Sequence, residues 1–395
     1  MGSNKFCLNR NFNEIKLLEN SQSLKIGTKA KNLKIIKEKA GCLIPKTLVI
    51  NIDIFNQLFL NNKISNPLYY NWSKFQIPYK YRKLILESID QVFVNKPLVI
   101  RSSATCEDSP LLSFAGQYSS FLNIKGGENI INAIKLCYQS LFSDNAKIYA
   151  NINGVRLEDE SMAIAIQELT SVKAAGVVFT ADPVNQDSEK MIIEYTKGLG
   201  DSIVSGHQKP IVKMVKKTEI NNLQDGFLKK LLKIALNLEK VFDDPQDIEW
   251  GWNGKEIYIF QSRNITTLDK RAKTIKYDVN KNKVIGSGIN VCKGVSSGIL
   301  KIINKVKDYN KIKRGDIVFL NCKIDTSLVT KLPLVNGLII NGGILSHFAV
   351  MAREFNTPCL TEPTIDKNNL LEAYEGKKVI VDSIKGKILT NQTKI

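Results

Sequence analysis

Only two histidines, His207 and His347, occur in 395 residues, so chemistry that needs an imidazole has two places to go. His347 sits in Gly342-Gly343-Ile344-Leu345-Ser346-His347-Phe348-Ala349-Val350-Met351-Ala352-Arg353-Glu354, where an apolar strand over Gly337–Ile340 runs into a glycine pair and then into helical spacing. A histidine that opens a helix feels the positive end of the dipole, which disfavours imidazolium and favours an added phosphoryl group. Neutral imidazole is also a nucleophile near pH 7. A lone histidine is more often structural; the preceding glycines, with Ser346 as an N-cap, tip the reading toward function. His207 lies in the turn-rich, polar run Val204-Ser205-Gly206-His207-Gln208-Lys209-Pro210 and reads as an exposed residue without a role.

A second constellation is Asp247-Ile248-Glu249-Trp250 followed by Gln261-Ser262-Arg263. Residues two apart on a strand share a face, so Asp247 with Glu249, and Gln261 with Arg263, each form a pair. If the two faces coincide, two carboxylates, an amide oxygen and a guanidinium converge. That set suits a Mg²⁺ ion bridging nucleotide phosphates. The alternative, a solvated charged face on a hairpin, stands level with it on spacing alone. A third constellation is Gly27-Thr28-Lys29-Ala30-Lys31-Asn32-Leu33, with Val99-Ile100-Arg101-Ser102-Ser103 and Ser113-Phe114-Ala115-Gly116-Gln117 far downstream. Small residues let backbone N–H groups approach phosphate oxygens while Lys29 and Arg101 bring charge.

The elements that must position these residues are legible in part. Thr47–Ile52 and Pro97–Arg101 read as short buried strands, as do Met162–Gln167, Ala174–Phe179 and Met191–Glu194. Asn129–Phe142 and Gly226–Phe242 carry apolar residues at helical spacing, and Ile248–Trp252 with Glu256–Gln261 form a hairpin across Asn253-Gly254. The pattern is an α+β mixture. Residues 268–283 are polar, with six basic residues and no apolar period, and read as an exposed, mobile connector to an α/β stretch. The expected domains are therefore 1–267, a basic linker 268–283, and 284–395.

The net charge is +18, from 56 Lys+Arg against 38 Asp+Glu, and residues 269–395 hold 22 of the former and 11 of the latter. The lysines are scattered singly and seldom interleaved with aromatics, so no platform for stacking bases is visible and nucleic-acid binding is not expected. No run approaches the roughly 18 apolar residues of a membrane span, and no signal-peptide layout opens the chain. Seven widely spaced cysteines without a CxxC pair suit neither a disulfide framework nor a zinc site, which places the chain in a reducing cytoplasm.

Together the three constellations resemble one family, the phosphohistidine dikinases typified by phosphoenolpyruvate synthase and pyruvate phosphate dikinase. The resemblance runs through IGTKAKNL, VIRSSATCEDSPLLSFAGQYSSFLNI, AIQELTSVKAAGVVFTADPV, KGLGDSIVSG, DIEW and QSRNIT over residues 26–267. It continues in KGVSSG, RGDIVFL, NGGILSHFAVMAREFNTPCL and VDSIKGKI over residues 284–395. It implies an α+β ATP-grasp nucleotide-binding region followed by a small α/β swivelling phosphohistidine domain, using ATP and Mg²⁺. By the same resemblance Lys29 and Arg101 hold ATP phosphates, Gly116, Gln117 and Ser120 line the phosphate loop, and Gln167, Glu168 and Leu169 form the adenine hinge. Glu249 and Gln261 coordinate Mg²⁺, with Asp247 beside them and Arg263 on the phosphates, and His347 is phosphorylated.

Asn264 stands where the family has proline after Gln-x-Arg, and Leu345 where it commonly has threonine. The family's synthase and dikinase carry a further barrel that binds pyruvate or phosphoenolpyruvate, and the chain is expected to lack it. A relative, rifampicin phosphotransferase, instead inserts an acceptor domain between the other two. Two readings follow: an enzyme that passes the phosphoryl group to a small-molecule acceptor, or a phosphocarrier that passes it to a site on a partner protein. A nucleotide sensor without catalysis is disfavoured, because no motif position has lost its chemistry.

Overall fold

A computed structural model of the chain describes residues 15–391, apart from 23–24, 108–113, 115–116, 198–210, 269–271, 279–280, 322–325, 342, 345–346 and 366–370. In chain order the elements begin β1 (Ile15–Leu17), α1 (Gly27–Glu38), β2 (Thr47–Ile50), α2 (Ile52–Asn61), α3 (Tyr79–Phe93) and β3 (Leu98–Ala104). Next come β4 (Ser120–Ile124), α4 (Gly127–Ser140), α5 (Asp144–Asn153), β5 (Met162–Glu168) and β6 (Ala174–Phe179). β7 (Lys190–Lys197), β8 (Ile211–Lys216), α6 (Gly226–Phe242), β9 (Gln246–Trp252) and β10 (Ile257–Asn264) follow. The last are β11 (Asn282–Cys292), β12 (Val295–Ile303), β13 (Ile317–Leu320), β14 (Gly337–Ile340), α7 (His347–Glu354), β15 (Cys359–Ile365), β16 (Lys378–Asp382) and β17 (Lys387–Asn391).

The chain divides into two compact units. One comprises residues 1–178, 197–207 and 223–264; the other comprises 179–196, 208–222 and 265–395. The first unit holds the antiparallel sheet β1-β2-β5-β3-β4. β5 is central and its first six residues are all buried, which is why Met162–Gln167 reads as a continuous apolar run. α1 lies on this sheet through Ala30, Leu33 and Ile36, all fully buried. Its N-terminus has no cap from its own chain segment. Ser103 of β3 supplies one: its Oγ accepts the Ala30 N–H at 3.0 Å and donates to the Ile26 carbonyl at 2.7 Å. Gly27, at φ +66°, is required there, since a Cβ would lie 1.8 Å from the Ser103 carbonyl oxygen. Asn51, Ser143 and Asp225 cap α2, α5 and α6 with their side chains.

β9 and β10 form the expected hairpin, with Asn253 Oδ1 accepting the N–H groups of Lys255 and Glu256 and Gly254 at φ +102°. Its register contains a bulge between Ile259 and Gln261. Ile259 faces Trp250, whereas Gln261 faces Glu249 and Arg263 faces Asp247. Strict alternation would keep Gln261 on the side of Ile259; the extra residue moves it to the other side.

In the second unit, β7 and β8 pair antiparallel, and β11–β17 close a barrel in the order β11-β15-β14-β13-β12-β16-β17. Its core is Ile285, Leu300, Ile302, Ile317, Phe319, Ile339, Leu360, Val379, Val381 and Ile388. The α/β expectation for this stretch is corrected in proportion: the described residues form a mostly β barrel with one α-helix, α7, and short 3₁₀ turns. Where 268–283 is described, residues 272–276 are exposed, as expected of a connector, but the segment is tied to the barrel. Lys273 bridges to Gly294, Ile275 N–H donates to the Val295 carbonyl at 3.1 Å, and Tyr277 Oη donates to Asp382 at 2.6 Å. Tyr277 packs on Val295, Ile380 and Leu389. The aromatic ring supplies the anchoring that a reading by charge alone passes over.

Candidate functional site

Lys29 on α1, Arg101 on β3, Asp247 and Glu249 on β9, and Gln261 and Arg263 on β10 belong to the first unit and face one another. Arg101 Nη1 reaches Glu249 Oε2 at 3.4 Å and Gln261 Oε1 at 3.3 Å, so one guanidinium nitrogen marks the point where a carboxylate and an amide oxygen meet. Arg263 grips Asp247 Oδ2 through Nε at 2.9 Å and Nη2 at 2.8 Å. Asp247 is thereby committed to orienting Arg263, while Glu249 keeps 41% of its side chain exposed. Burial pushes the Glu249 carboxyl up, but Arg101, then Arg263 and Lys29, outweigh it and hold the group below the usual carboxylate range. It is ionised at neutral pH.

Glu107 belongs to this cluster and was not singled out from the sequence, although it stands within the SSATCED run. Its carboxylate accepts Lys29 Nζ at 2.8 Å, with both side chains only 6% exposed. Its other oxygen takes the Ala104 N–H at 3.4 Å. An acid six residues beyond Arg101, after a run of small residues, was the available signal. The neighbouring Cys106 is no nucleophile: burial pushes its thiol up to about 12, and Glu160 and Glu107 add to the effect.

The remaining predicted positions are placed as follows. Ser120 is exposed at the start of β4, directly across from Arg101. Gln117 is buried, with its N–H on the Phe114 carbonyl at 3.0 Å; Gly116 lies outside the described residues. Gln167 pairs across strands with Val99 and Thr47, two strand positions (about 7 Å) from the register of Arg101. Its amide donates to Thr47 Oγ1 at 3.1 Å, Glu168 pairs with Lys96 at 2.6 Å, and the Leu169 N–H goes to the Pro97 carbonyl. These three do not join the charged cluster. In the second unit α7 begins at His347. The His347 side chain, Gly342, Leu345, Ser346 and His207 lie outside what the structure describes.

Two observations bear on the ligands such a site fits. Arg101 Nε is buried and has no hydrogen-bond partner among the described residues, so the guanidinium retains donor capacity beyond its contacts with Glu249 and Gln261. Among those residues no group of three or more His, Cys, Asp or Glu side chains could hold a metal; the oxygens beside Arg101 Nη1 are those of Glu249 and the Gln261 amide, a set that would fit a cation completing its shell with phosphate and water. Mg²⁺ binds in that way, through one or two protein oxygens plus phosphates and water.

Residues 23–220 and 210–283 match the family model described as pyruvate phosphate dikinase, AMP/ATP-binding domain. Residues 305–386 match that of the PEP-utilising enzyme mobile domain. The chain belongs to the pyruvate phosphate dikinase family. The charged cluster lies in the AMP/ATP-binding match and His347 in the mobile-domain match.

Relatives agree with that assignment. A probable phosphoenolpyruvate synthase of Archaeoglobus fulgidus is 31% identical over 342 residues, covering 76% of this chain and 45% of its own length. One from Methanocaldococcus jannaschii is 34% identical over 257 residues, covering 56% and 22%. A rifampicin phosphotransferase of Bacillus cereus is 37% identical over 201 residues, covering 43% and 23%. The chain thus spans less than half the length of each of these dikinase relatives. Among the described residues no helix is long and apolar enough to cross a membrane.

Proposed function

We propose that the chain is an ATP-dependent phosphotransferase that phosphorylates its own His347 and passes the phosphoryl group to a small-molecule acceptor. The observation that carries this is the convergence of Lys29, Arg101 and Arg263 around Glu249 and Gln261, with a buried Arg101 donor left over for an anion. In this reading the ATP-grasp region is 1–267 and the swivelling phosphohistidine domain 284–395, and the dikinase assignment links the two. Seven widely spaced cysteines without a CxxC pair favour a reducing, cytoplasmic setting.

Lys29 and Arg101 draw the phosphates of ATP out of water, and Arg263, fixed by Asp247, sets the register of the chain of phosphates. Gly116, Gln117 and Ser120 are assigned to the phosphate loop, and Gln167, Glu168 and Leu169 to the adenine edge. Glu249 and Gln261 would hold Mg²⁺, which when bound neutralises charge on the phosphate oxygens. The imidazole of His347 takes the β-phosphoryl group; AMP leaves, and phosphate leaves with the addition of one water. Positioning and charge neutralisation account for the rate, since the protein contributes one nucleophile and no other covalent chemistry.

The test uses ATP labelled in turn at the β and γ phosphorus. Label from the β position, stable in base and labile in acid, supports the assignment; label that survives acid places the phosphoryl group on another residue type. A second reading, transfer to an acceptor on a partner protein, is favoured by the 22 Lys+Arg against 11 Asp+Glu in residues 269–395. Label that leaves only when a purified partner is added selects it.

A further inference from the structure

We infer that Glu194, on β7, is a positioning residue that seats the loop leading into His347; the inference rests on reading His347 as the phosphorylated residue. Gly343 and Glu194 belong to the same compact unit. A Cβ built on Gly343 would lie 2.1 Å from Glu194 Oε1 and 2.6 Å from Oε2. The φ of Gly343 is not in the left-handed region, so its backbone would accept any residue. What excludes a side chain is space, and the Glu194 carboxyl fills that space.

The surroundings argue that the contact is built rather than incidental. Glu194 is half-buried on a strand where its neighbours Ile193 and Tyr195 are buried. Gly343 and Ile344 are buried as well. Arg353, on the last turn of α7 and only 4% exposed, returns its Nη1 to the Ile344 carbonyl at 2.8 Å and to the Val291 carbonyl at 3.4 Å. Its guanidinium lies 5.7 Å from the ring centre of Phe179. Ile344 is thus held by Arg353 from the helix side, and Gly343 is met by Glu194 from the strand side. Phe179 and Glu194 fall in the stretch that matches the AMP/ATP-binding model, whereas the loop falls in the mobile-domain match. A carboxyl group that fixes Gly343 fixes the start of α7, and small displacements of a nucleophile are expensive in rate.

The experiment measures single-turnover labelling of His347 and, separately, the ATP concentration at half-maximal rate. Glu194→Ala is expected to slow labelling on the order of 10-fold while leaving the half-maximal ATP concentration unchanged, because its carboxyl meets Gly343, whereas Lys29, Arg101, Glu249, Gln261 and Arg263 belong to the other compact unit, where Arg101 contacts Glu249 and Gln261. Gly343→Ala, which displaces the carboxyl, should slow it by a similar factor, and the double variant should be no slower than either single one. Glu194→Gln, which keeps the planar group, should recover most of the rate. Wild-type labelling in Glu194→Ala, or losses that multiply in the double variant, would overturn the inference. An arm independent of phosphorylation compares amide hydrogen exchange at Gly343 and Ile344 in nucleotide-free wild type and Glu194→Ala. Faster exchange in the variant is expected, and unchanged exchange overturns the seat even if labelling is normal. Faster exchange in a protein whose wild type never takes label overturns the phosphohistidine reading instead.

Discussion

In the first compact unit, six charged or amide side chains from a helix and three strands, joined by Glu107, neutralise one another in pairs. In the second, the proposed nucleophile is one residue at the first position of an eight-residue helix, and of the residues just before it Gly343 and Ile344 are buried. A polyphosphate spreads charge over many oxygens, so it needs several fixed partners whose mutual attraction keeps them ordered before it arrives. A phosphoryl acceptor needs a single atom at the right place, and rigid elements can deliver it without a charged entourage.

That contrast can be broken most severely at His347: His347→Ala should abolish acid-labile labelling altogether and leave ATP affinity by calorimetry as it was. Residual acid-labile label would show that the nucleophile is elsewhere. Next in size, Glu107→Ala strips Lys29 of its partner inside the protein, where both side chains are 6% exposed. Removing one member of a buried pair costs about 3–5 kcal/mol, measurable by urea unfolding. An unchanged midpoint would mean that Lys29 finds water. Glu249→Ala should lower labelling on the order of 100-fold, close to 3 kcal/mol, with little loss of stability. Equal activity at limiting Mg²⁺ would remove the ligand role.

The smallest effect concerns pH. A carboxyl held low in the folded protein stabilises it above the unfolded value and loses that contribution as pH falls through the folded value. Mg²⁺-dependent binding through Glu249 should therefore persist down to its ordinary value of 4.5, and Arg263→Met should shift the acid limb upward. A limb that stays put in the variant would show that Arg263 does not act on Glu249.

The sequence made the motif residues and several elements legible. Ala174–Phe179, Gly226–Phe242 and Gly337–Ile340 appear with the bounds read from the sequence, because each is an apolar or amphipathic run that ends at polar or turn residues. Asp247 and Glu249 pair with Gln261 and Arg263 only by way of a bulge that no local pattern announces. It costs one extra residue, Phe260, in a run of good strand formers. The α1 N-terminus was equally opaque, since its cap comes from Ser103, a residue 73 positions from the Ala30 it serves. Glu107 escaped notice because an ion pair across 78 residues leaves no trace in spacing. Tyr277 turned a stretch that reads as solvent-exposed into one that is anchored.

That anchoring sets a length. β10 ends at Asn264 and the strand-like pairing along the barrel resumes at Lys273, so nine peptide steps, at most roughly 32 Å of contour, are what the polypeptide can pay out while the Tyr277–Asp382 bond is kept. If the proposed swivelling operates, a longer excursion of the barrel on this connection would first have to strip the 272–278 segment from the barrel's own flank, where an aromatic hydroxyl meets an aspartate.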